Sequence, residues 1–184
     1  MATKTDICNL ALTRIGATPI ADFTEDSTEA DYCRRLYDPA RKAALRAFPW
    51  NFAVTTADLA AVTALPGFTG AFTLPSDCVR ALAPVSTDYV PFEIRGKTLL
   101  ADAETVTLKY LQNVTDTAVF DDQFVEALSF RLAVDLAIPL TGKADRQAGL
   151  LRLYANALKA AQQSDAQEQR RTDTAGQSIL ESRA

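Results

Sequence analysis

Three carboxylates lie close together at Asp121, Asp122 and Glu126, a spacing that could support acid/base chemistry or Mg²⁺ binding. If this stretch is helical, Asp122 and Glu126 share one face, because side chains four residues apart are neighbours. No second group of carboxylates is assured nearby, and acidic residues are also favoured in the first turn of a helix. We therefore interpret the three as the solvated start of a helix, and we predict no catalytic, cofactor or metal site.

The 184-residue chain contains no histidine. This removes the commonest general base, the commonest metal ligand and every Ser-His or Cys-His nucleophile pair. The three cysteines, Cys8, Cys33 and Cys78, are far apart and form no Cys-x-x-Cys motif, so we expect small buried apolar side chains in a reducing compartment. The sequence indicates a protein that is not an enzyme.

Charge is spread along the chain, with a formal net charge of −4 and a pI of about 4.9. The pairs Arg34-Arg35 and Arg170-Arg171 could meet phosphate, but both stand beside acidic residues, which is typical of an exposed helix face. An acidic balance lacks the positive footprint that neutralises phosphates. We expect no specific binding of DNA.

The composition, with 48% hydrophobic and 23% charged residues, is typical of a soluble globular protein. No apolar run approaches the length of about 18 residues that a membrane span needs. The segment from Met1 to Asp6 also lacks the apolar core of a signal peptide. We expect no membrane association, and synthesis and retention in the cytoplasm.

Helical patterns occupy both ends of the chain. A first helix is predicted from a cap at Thr5 to about Ile15, and a second over about 27–48, opened by Asp26-Ser27-Thr28-Glu29. The second pattern passes through Asp38-Pro39 without a phase shift. This favours one long kinked helix, the alternative being a new helix capped by Asp38 with Pro39 at its first position.

Two further helices are predicted, from about Asp121 to a stop at 139–142 and over about 143–168. The expected inner positions of the first helix are Ile7, Leu10, Ala11 and Ile15, and those of the last are Leu151, Tyr154, Ala155, Leu158 and Ala161.

The middle of the chain is rich in Val, Thr, Phe and Tyr, and its apolar period shifts toward two. Arg95-Gly96-Lys97 indicates a hairpin turn, and Pro75 and Asp77 indicate another turn in which the aspartate accepts local backbone donors. The predicted strands are 51–57, 79–85, 91–95, 98–101 and 105–111, with loops at 65–71 and 75–78.

The segment Phe48-Pro49-Trp50-Asn51-Phe52 joins these two regions and holds the only tryptophan. Pro49 lacks an N–H and disfavours helical geometry at Phe48, so the helix should stop there. Trp50 and Phe52 then offer two large apolar anchors on one side of an extended run. We predict a structural junction formed by Pro49, Trp50 and Phe52, with Pro75 and Asp77 as further structural residues.

Together these patterns predict an α+β fold: a helical bundle formed by the N- and C-terminal helices, with an inserted antiparallel β-rich region. The predicted boundaries are 1–49 and 121–168 for the bundle and 50–120 for the insert. Residues 169–184 are polar and are expected to fray. Their apolar pair Ile179-Leu180 is either part of a disordered segment or a contact that orders on a partner.

Several blocks of this sequence, in order, resemble the head-to-tail adaptor, or tail tubular protein A, family of tailed bacteriophages. The resemblance covers about residues 5–170. The N-terminal blocks are Ile7-Cys8-Asn9-Leu10-Ala11-Leu12, Arg14-Ile15-Gly16, Glu29-Ala30 with Cys33, Tyr37-Asp38-Pro39-Ala40-Arg41 and Pro49-Trp50-Asn51-Phe52-Ala53. The later blocks are Leu74-Pro75-Ser76-Asp77-Cys78-Val79-Arg80, Tyr110, Phe120-Asp121 with Phe124, Glu126-Ala127-Leu128, Arg131-Leu132-Ala133 and Leu140-Thr141-Gly142.

The resemblance implies a ring, usually of twelve copies, that binds the portal protein and extends the DNA channel toward the next tail component, a nozzle or a stopper. It places the protein in the virion of a phage, prophage or gene transfer agent, where encapsidated DNA passes through the lumen without specific binding. By the same analogy residues 169–184 form a portal-docking tail with contacts at Arg171, Ile179, Leu180 and Arg183.

The alternative hypothesis is a soluble peptide- or protein-binding module without catalytic activity, which uses an exposed sheet edge.

Overall fold

The computed structural model describes the backbone of residues 2–63, 67–86 and 90–181, and the side chains of those residues through 168. The chain divides into two compact units, Met1–Phe52 with Thr115–Ala184, and Ala53–Val114. Helices α1 and α2 pack together with α3 and α4, and the inserted unit is an antiparallel β region of two sheets. The predicted α+β fold class is confirmed.

The four helices are α1 Lys4–Ile15, α2 Thr28–Ala47, α3 Asp122–Thr141 and α4 Ala144–Glu181. Short 3₁₀ turns at Asn51–Ala53 and Thr117–Val119 stand at the two boundaries of the insert. The seven strands are β1 Val54–Asp58, β2 Ala60–Val62, β3 Gly70–Thr73, β4 Cys78–Pro84, β5 Phe92–Arg95, β6 Thr98–Ala101 and β7 Thr107–Gln112.

Local side-chain chemistry sets where α1 and α2 begin and end. Thr3, not the predicted Thr5, caps α1, because its hydroxyl accepts from the Asp6 N–H while the Asp6 carboxylate accepts from the Thr3 N–H. Gly16, at φ 68°, adopts the left-handed conformation that ends α1. Ser27 caps α2 by accepting from the Ala30 N–H. Helix α2 continues through Pro39, which confirms one helix rather than two.

Helix α3 is the centre of the helical unit. Its residues Leu128, Leu132 and Leu136 are fully buried, and it packs against each of the other three helices. Most of its residues from Phe124 to Ala137 are buried, while Asp122 and Glu126 are exposed near its start. The core of this unit therefore lies around α3.

Two predicted inner faces need correction. Leu10 on α1 is exposed, and Cys8 and Leu12 are buried beside Ile7, Ala11 and Ile15. On α4, Leu151 is 52% exposed and Ala155 is also exposed, whereas Leu150 is buried along with Ala161. The buried stripe of α4 thus starts at Leu150, one residue earlier than predicted. One turn before it, the side-chain amide of Gln147 donates to the Val134 carbonyl at 3.0 Å.

The prediction of a frayed tail after residue 168 was wrong for the backbone, because α4 remains helical to Glu181. Residues 169–181 contain no proline, and adding residues to a formed helix is much easier than nucleating a new one. At 1.5 Å per residue, the 38 residues of α4 span about 57 Å.

The inserted unit contains a three-stranded sheet in the order β1-β7-β4 and a four-stranded sheet in the order β2-β3-β6-β5, each antiparallel throughout. The predicted hairpin is confirmed, since Gly96 at φ 61° turns β5 into β6. Strands β2 and β3 were missed, and the predicted loop at 65–71 overlaps β3. Residues 51–53, predicted as extended, form a 3₁₀ turn.

Side chains from both sheets share one core. It contains Phe72 and Leu99 from the four-stranded sheet and Leu108 and Tyr110 from the three-stranded sheet, all buried. Gly70 must remain small, because a Cβ there would lie 2.5 Å from the Ala103 carbonyl oxygen. The β unit thus has its own hydrophobic core.

Candidate assembly site

The Phe48–Phe52 junction ends α2 as the sequence predicts. Helix α2 stops at Ala47, and Phe48 adopts an extended conformation at φ −152° and ψ 152°, as expected for a residue that precedes proline. Trp50 is 1% exposed, and its indole N–H donates to the Ala44 carbonyl at 3.0 Å. The indole thus satisfies one of the last carbonyls of α2, which lack a partner within the helix.

The aromatic rings of the junction pack onto the start of α3. The Trp50 ring meets Phe124 edge-on with centroids 5.1 Å apart, and Phe52 meets Phe124 at 5.0 Å. Phe120 completes the cluster at 4.9 Å from Phe124, while Phe48 packs edge-on against Trp50 at 5.2 Å. Such ring pairs stabilise by about 0.5–1.5 kcal/mol each beyond their area burial. The cluster fixes the exit of the chain from α2.

Asp165 attaches α4 to this junction. Its carboxylate accepts from the Asn51 backbone N–H at 3.0 Å, and the Asn51 side-chain amide donates to the Asp165 carbonyl, also at 3.0 Å. The Asp165 side chain is buried, and this desolvation raises the pKa of its carboxyl, although the bond from Asn51 acts in the opposite direction. The buried carboxylate and the backbone carbonyl of Asp165 therefore bind the backbone and side-chain amides of Asn51, and these bonds hold α4 against the segment that follows α2. We call this pair of bonds the Asp165 clasp.

Helix α4 continues for 16 residues past this clasp, which corresponds to about 24 Å. We call residues 169–181 the C-terminal arm. Arg171, Ile179 and Leu180, which the sequence predicts as docking contacts, lie on this helical segment, and their side chains are outside the described residues. Arg183 is outside the described residues altogether.

Pro75 and Asp77 are in the β unit, in the predicted turn. The Asp77 carboxylate was expected to accept from local backbone donors, but the donors that the structure describes are side chains of β7. The Pro75 carbonyl accepts from the Cys78 N–H at 3.0 Å. The Asp77 carboxylate accepts from Gln112 Nε2 at 2.9 Å and from the Tyr110 hydroxyl at 3.3 Å, and the Asp77 carbonyl accepts from the Asn113 N–H. Asp77 therefore ties the start of β4 to the end of β7.

The carboxylates Asp121, Asp122 and Glu126 form a helix start, as interpreted from the sequence. Asp121 caps α3 by accepting from the Gln123 N–H at 2.8 Å, and Asp122 is exposed in the first turn. Glu126 points to α1, where its carboxylate lies 3.8 Å from the Arg14 guanidinium. The three side chains serve separate structural purposes.

Arg14 joins α1 to α3, a role that the sequence did not predict. Its guanidinium stacks on the Phe130 ring at 3.7 Å and donates to the Ser129 hydroxyl, so α1 is held to α3 by a half-buried cation. Burial lowers the pKa of this guanidinium, and Glu126 opposes that effect. A lone arginine at the end of a predicted helix gave no sign of this role.

The Arg34-Arg35 pair has partners within its own neighbourhood. Arg34 donates to the carbonyls of Phe23 and Glu25 at 3.0 and 2.9 Å, and Arg35 pairs with Asp31 at 2.8 Å. The expectation of an exposed charged face holds for Arg35, whose side chain is 70% exposed. The side chains of Arg170 and Arg171 lie outside the described residues.

Cys8 and Cys33 are buried free thiols on α1 and α2, and Cys78 is half-buried. A hydrogen bond with Cys33 and burial together raise the pKa of the Cys8 thiol. Burial also raises the pKa of Tyr37, whose hydroxyl has no hydrogen-bond partner in the part of the chain that the structure describes. The hydrogen bond from the Cys8 thiol lowers the pKa of the Cys33 thiol. Both cysteine side chains are fully buried on the packed faces of α1 and α2, as the sequence predicts for small apolar cysteines.

Among the described residues, no group of three or more Cys, Asp or Glu side chains is placed to hold a metal ion. In the same residues, no helix has an apolar stretch long enough to cross a bilayer. The arrangement that stands out is mechanical: an aromatic junction, a buried clasp and a helix that continues beyond it.

Asp165 is the other residue that the sequence analysis missed. It follows Leu158 and Ala161 on the inner stripe of α4, so an acidic residue at helical spacing on an apolar face was a signal for a buried hydrogen-bonding role.

A scan against protein-family models found no matching family, and a search of curated proteins found no match.

Proposed function

We propose that this protein is a structural head-to-tail adaptor of a tailed phage, prophage or gene transfer agent. It assembles as a ring on the portal protein and extends the DNA channel toward the next tail component. Its place is the head-to-tail interface of the virion, after synthesis in the cytoplasm of a bacterial host. No bond is made or broken in this role.

The observation that supports the proposal most is the length of α4. A 38-residue helix far exceeds what is needed to cover α3, which has 20 residues. A helix that leaves its bundle can be stabilised by a partner that covers it, since isolated helical segments are marginal in water. The clasp at Asp165 holds the base of the C-terminal arm, so the arm extends from a fixed point and its helix can be stabilised by docking on the portal.

The colinear resemblance over residues 5–170 supports the same role, and it includes the junction and the turn at Pro75 and Asp77. Net charge fits as well. An acidic protein does not attract phosphates, so encapsidated DNA can slide through a lumen formed by such subunits without specific binding.

A truncation tests the arm directly. A chain ending at residue 168 keeps the Asp165 clasp and should unfold in urea at the same midpoint as the full-length protein, losing only the helical signal of residues 169–181. It should not cosediment with portal rings from the same genome. A full-length variant with Ile179→Ser and Leu180→Ser keeps the length of the arm and removes only its two predicted apolar contacts. It should bind portal rings at least tenfold more weakly than the unmodified protein. Full portal binding by the truncated chain would refute the role of the arm.

A second candidate function is a peptide-binding module that adds an extended segment to an open sheet edge. The exposed strands β2 and β5 favour it. If the protein stays monomeric, does not bind the portal and binds a specific cellular peptide, these results would support the peptide-binding function in place of the adaptor.

A further inference from the structure

In the part of the chain that the structure describes, the four-stranded sheet has two open edges. Its order is β2-β3-β6-β5, and within residues 2–63, 67–86 and 90–181 no further strand pairs with β2 or β5. All three residues of β2 are exposed, as are Glu93, Ile94 and Arg95 of β5. Unpaired N–H and C=O groups at such edges are templates for another strand.

The three-stranded sheet is less suited to accept a strand. Its edge strands β1 and β4 are mostly half-buried, and β4 carries two register shifts between Cys78 and Ala83. Bulges of this kind twist an edge away from further pairing. In contrast, the register of the four-stranded sheet is regular across all of its strand pairs.

Strand direction separates the two sheets further. Neighbouring strands alternate in direction, so the outer strands of a four-stranded sheet run in opposite directions and those of a three-stranded sheet run in the same direction. A second copy in the same orientation therefore meets β5 with its own β2 in antiparallel pairing. The same addition to the three-stranded sheet would require the slightly less stable parallel pairing.

The pleat restricts the register of this contact. Across the sheet, Ile94, Leu99, Phe72 and Ala61 form one row on the core face, and Glu93, Leu100, Ala71 and Val62 form the next row on the opposite face. Extending the rows places Ile94 opposite Ala61 of a second copy and Arg95 opposite its Ala60. The small alanines leave room for these longer side chains.

We propose that β5 of one copy pairs antiparallel with β2 of the next, with Ile94 opposite Ala61, and that this contact joins neighbouring subunits of the ring. The inference rests on the proposed adaptor function, because it supplies one of the contacts that such a ring needs. The two surfaces differ from each other, as a heterologous contact requires when copies close around an axis.

Disulfide trapping tests the contact. In a Cys78→Ser background, Ala61→Cys and Ile94→Cys place thiols on the two edges. In one chain these edges are three strand spacings, about 14 Å, apart, which is beyond the roughly 7 Å that a disulfide can bridge between Cα atoms. Any disulfide between them therefore joins two subunits.

When the Ala61→Cys, Ile94→Cys double variant is bound to the portal and oxidised with diamide, it should give a ladder of dimers, trimers and higher species on a non-reducing gel. The matched control is Thr56→Cys with Ala83→Cys, exposed residues in one row at the edges of the three-stranded sheet, which should stay monomeric. If circular dichroism shows that the first pair does not fold, Ala60→Cys with Arg95→Cys tests the same register.

Rings that form on the portal but give no ladder would overturn the strand contact and leave the adaptor function intact. Dimers from Ala61→Cys alone, at the yield of the double variant, would overturn it in favour of a two-fold β2–β2 contact. If the unmodified chain forms no ring on the portal, the adaptor function fails and the inference fails with it.

Discussion

Trp50 shows how one side chain can end a helix and start a core. Proline at position 49 breaks the helix, and the indole N–H then reaches back to the Ala44 carbonyl that the break leaves without a helical partner. The ring also packs on Phe48, Phe52 and Phe124. Hydrogen bonding and burial therefore act at the same residue.

Replacing Trp50 by Phe separates these two contributions. The Trp50→Phe variant keeps an aromatic ring but loses the bond to Ala44, so we expect a loss of about 1–2 kcal/mol in the free energy of unfolding. Trp50→Ala also empties the site and should lose about 3–5 kcal/mol. Urea unfolding followed by circular dichroism measures both, and equal losses would contradict the hydrogen-bonding role.

Asp165 allows a similar test of the clasp. Asp165→Ala leaves the buried Asn51 N–H without its acceptor, at a cost of about 1–3 kcal/mol in unfolding free energy. Asp165→Asn keeps an acceptor oxygen and removes the desolvated charge, so its loss at pH 7 should be clearly smaller. If the two variants are equally destabilised in urea at pH 7, the acceptor is not what holds α4.

The pH dependence of this residue has a defined sign. Its pKa is raised in the folded state, so the folded protein binds the Asp165 proton more tightly than the unfolded chain does. The stability of the wild type relative to Asp165→Asn should therefore fall as pH rises from below the ordinary aspartate pKa through the raised folded value. Unfolding curves from pH 3 to 7 measure this difference, and a rise with pH would contradict the burial argument.

At the scale of elements, the attachment of α1 to α3 depends on the stacked guanidinium of Arg14. Arg14→Lys retains the charge but loses the planar group over Phe130 and the fixed donor to Ser129, so we expect about 1–2 kcal/mol of destabilisation. Arg35→Lys is the control, since an exposed pair with Asp31 contributes little and should change stability by less than about 0.5 kcal/mol. Chemical denaturation measures the free energy of unfolding of both variants. Equal values would refute the role of the Arg14 guanidinium in holding α1 to α3.

Helix α4 should divide into two parts by hydrogen exchange. Amides from Leu150 to Asp165 lie in the packed part of α4 and should exchange slowly in the free protein. Amides of the C-terminal arm should exchange at least tenfold faster and become protected on portal rings. Mass spectrometry of peptides from both parts checks this, and an arm that is equally slow in the free protein would contradict docking-coupled stabilisation.

The helices could be predicted because their patterns are long and their ends carry local signals such as the Ser27 cap and Pro49. Strands β2 and β3 could not, since Ala60-Ala61-Val62 is short and exposed and lacks the alternation that marks a strand. Asp165 and Arg14 were missed because their partners, Asn51 and Phe130, are more than 100 residues away. Contacts of that range depend on packing rather than on local pattern.

At the scale of the whole molecule, the chain combines a helical unit and a β unit, each with its own buried core. In the proposed ring the two have different tasks. The helical unit presents the C-terminal arm to the portal, and the four-stranded sheet offers edges to neighbouring copies.

Electron microscopy of the full-length protein mixed with portal rings from the same genome tests whether the protein assembles as a ring on the portal. If the protein is an adaptor, a second ring should stack on the portal, with rotational symmetry and a continuous central channel. Portal rings that stay bare while this protein remains as scattered single particles, at concentrations well above those of the portal, would contradict it.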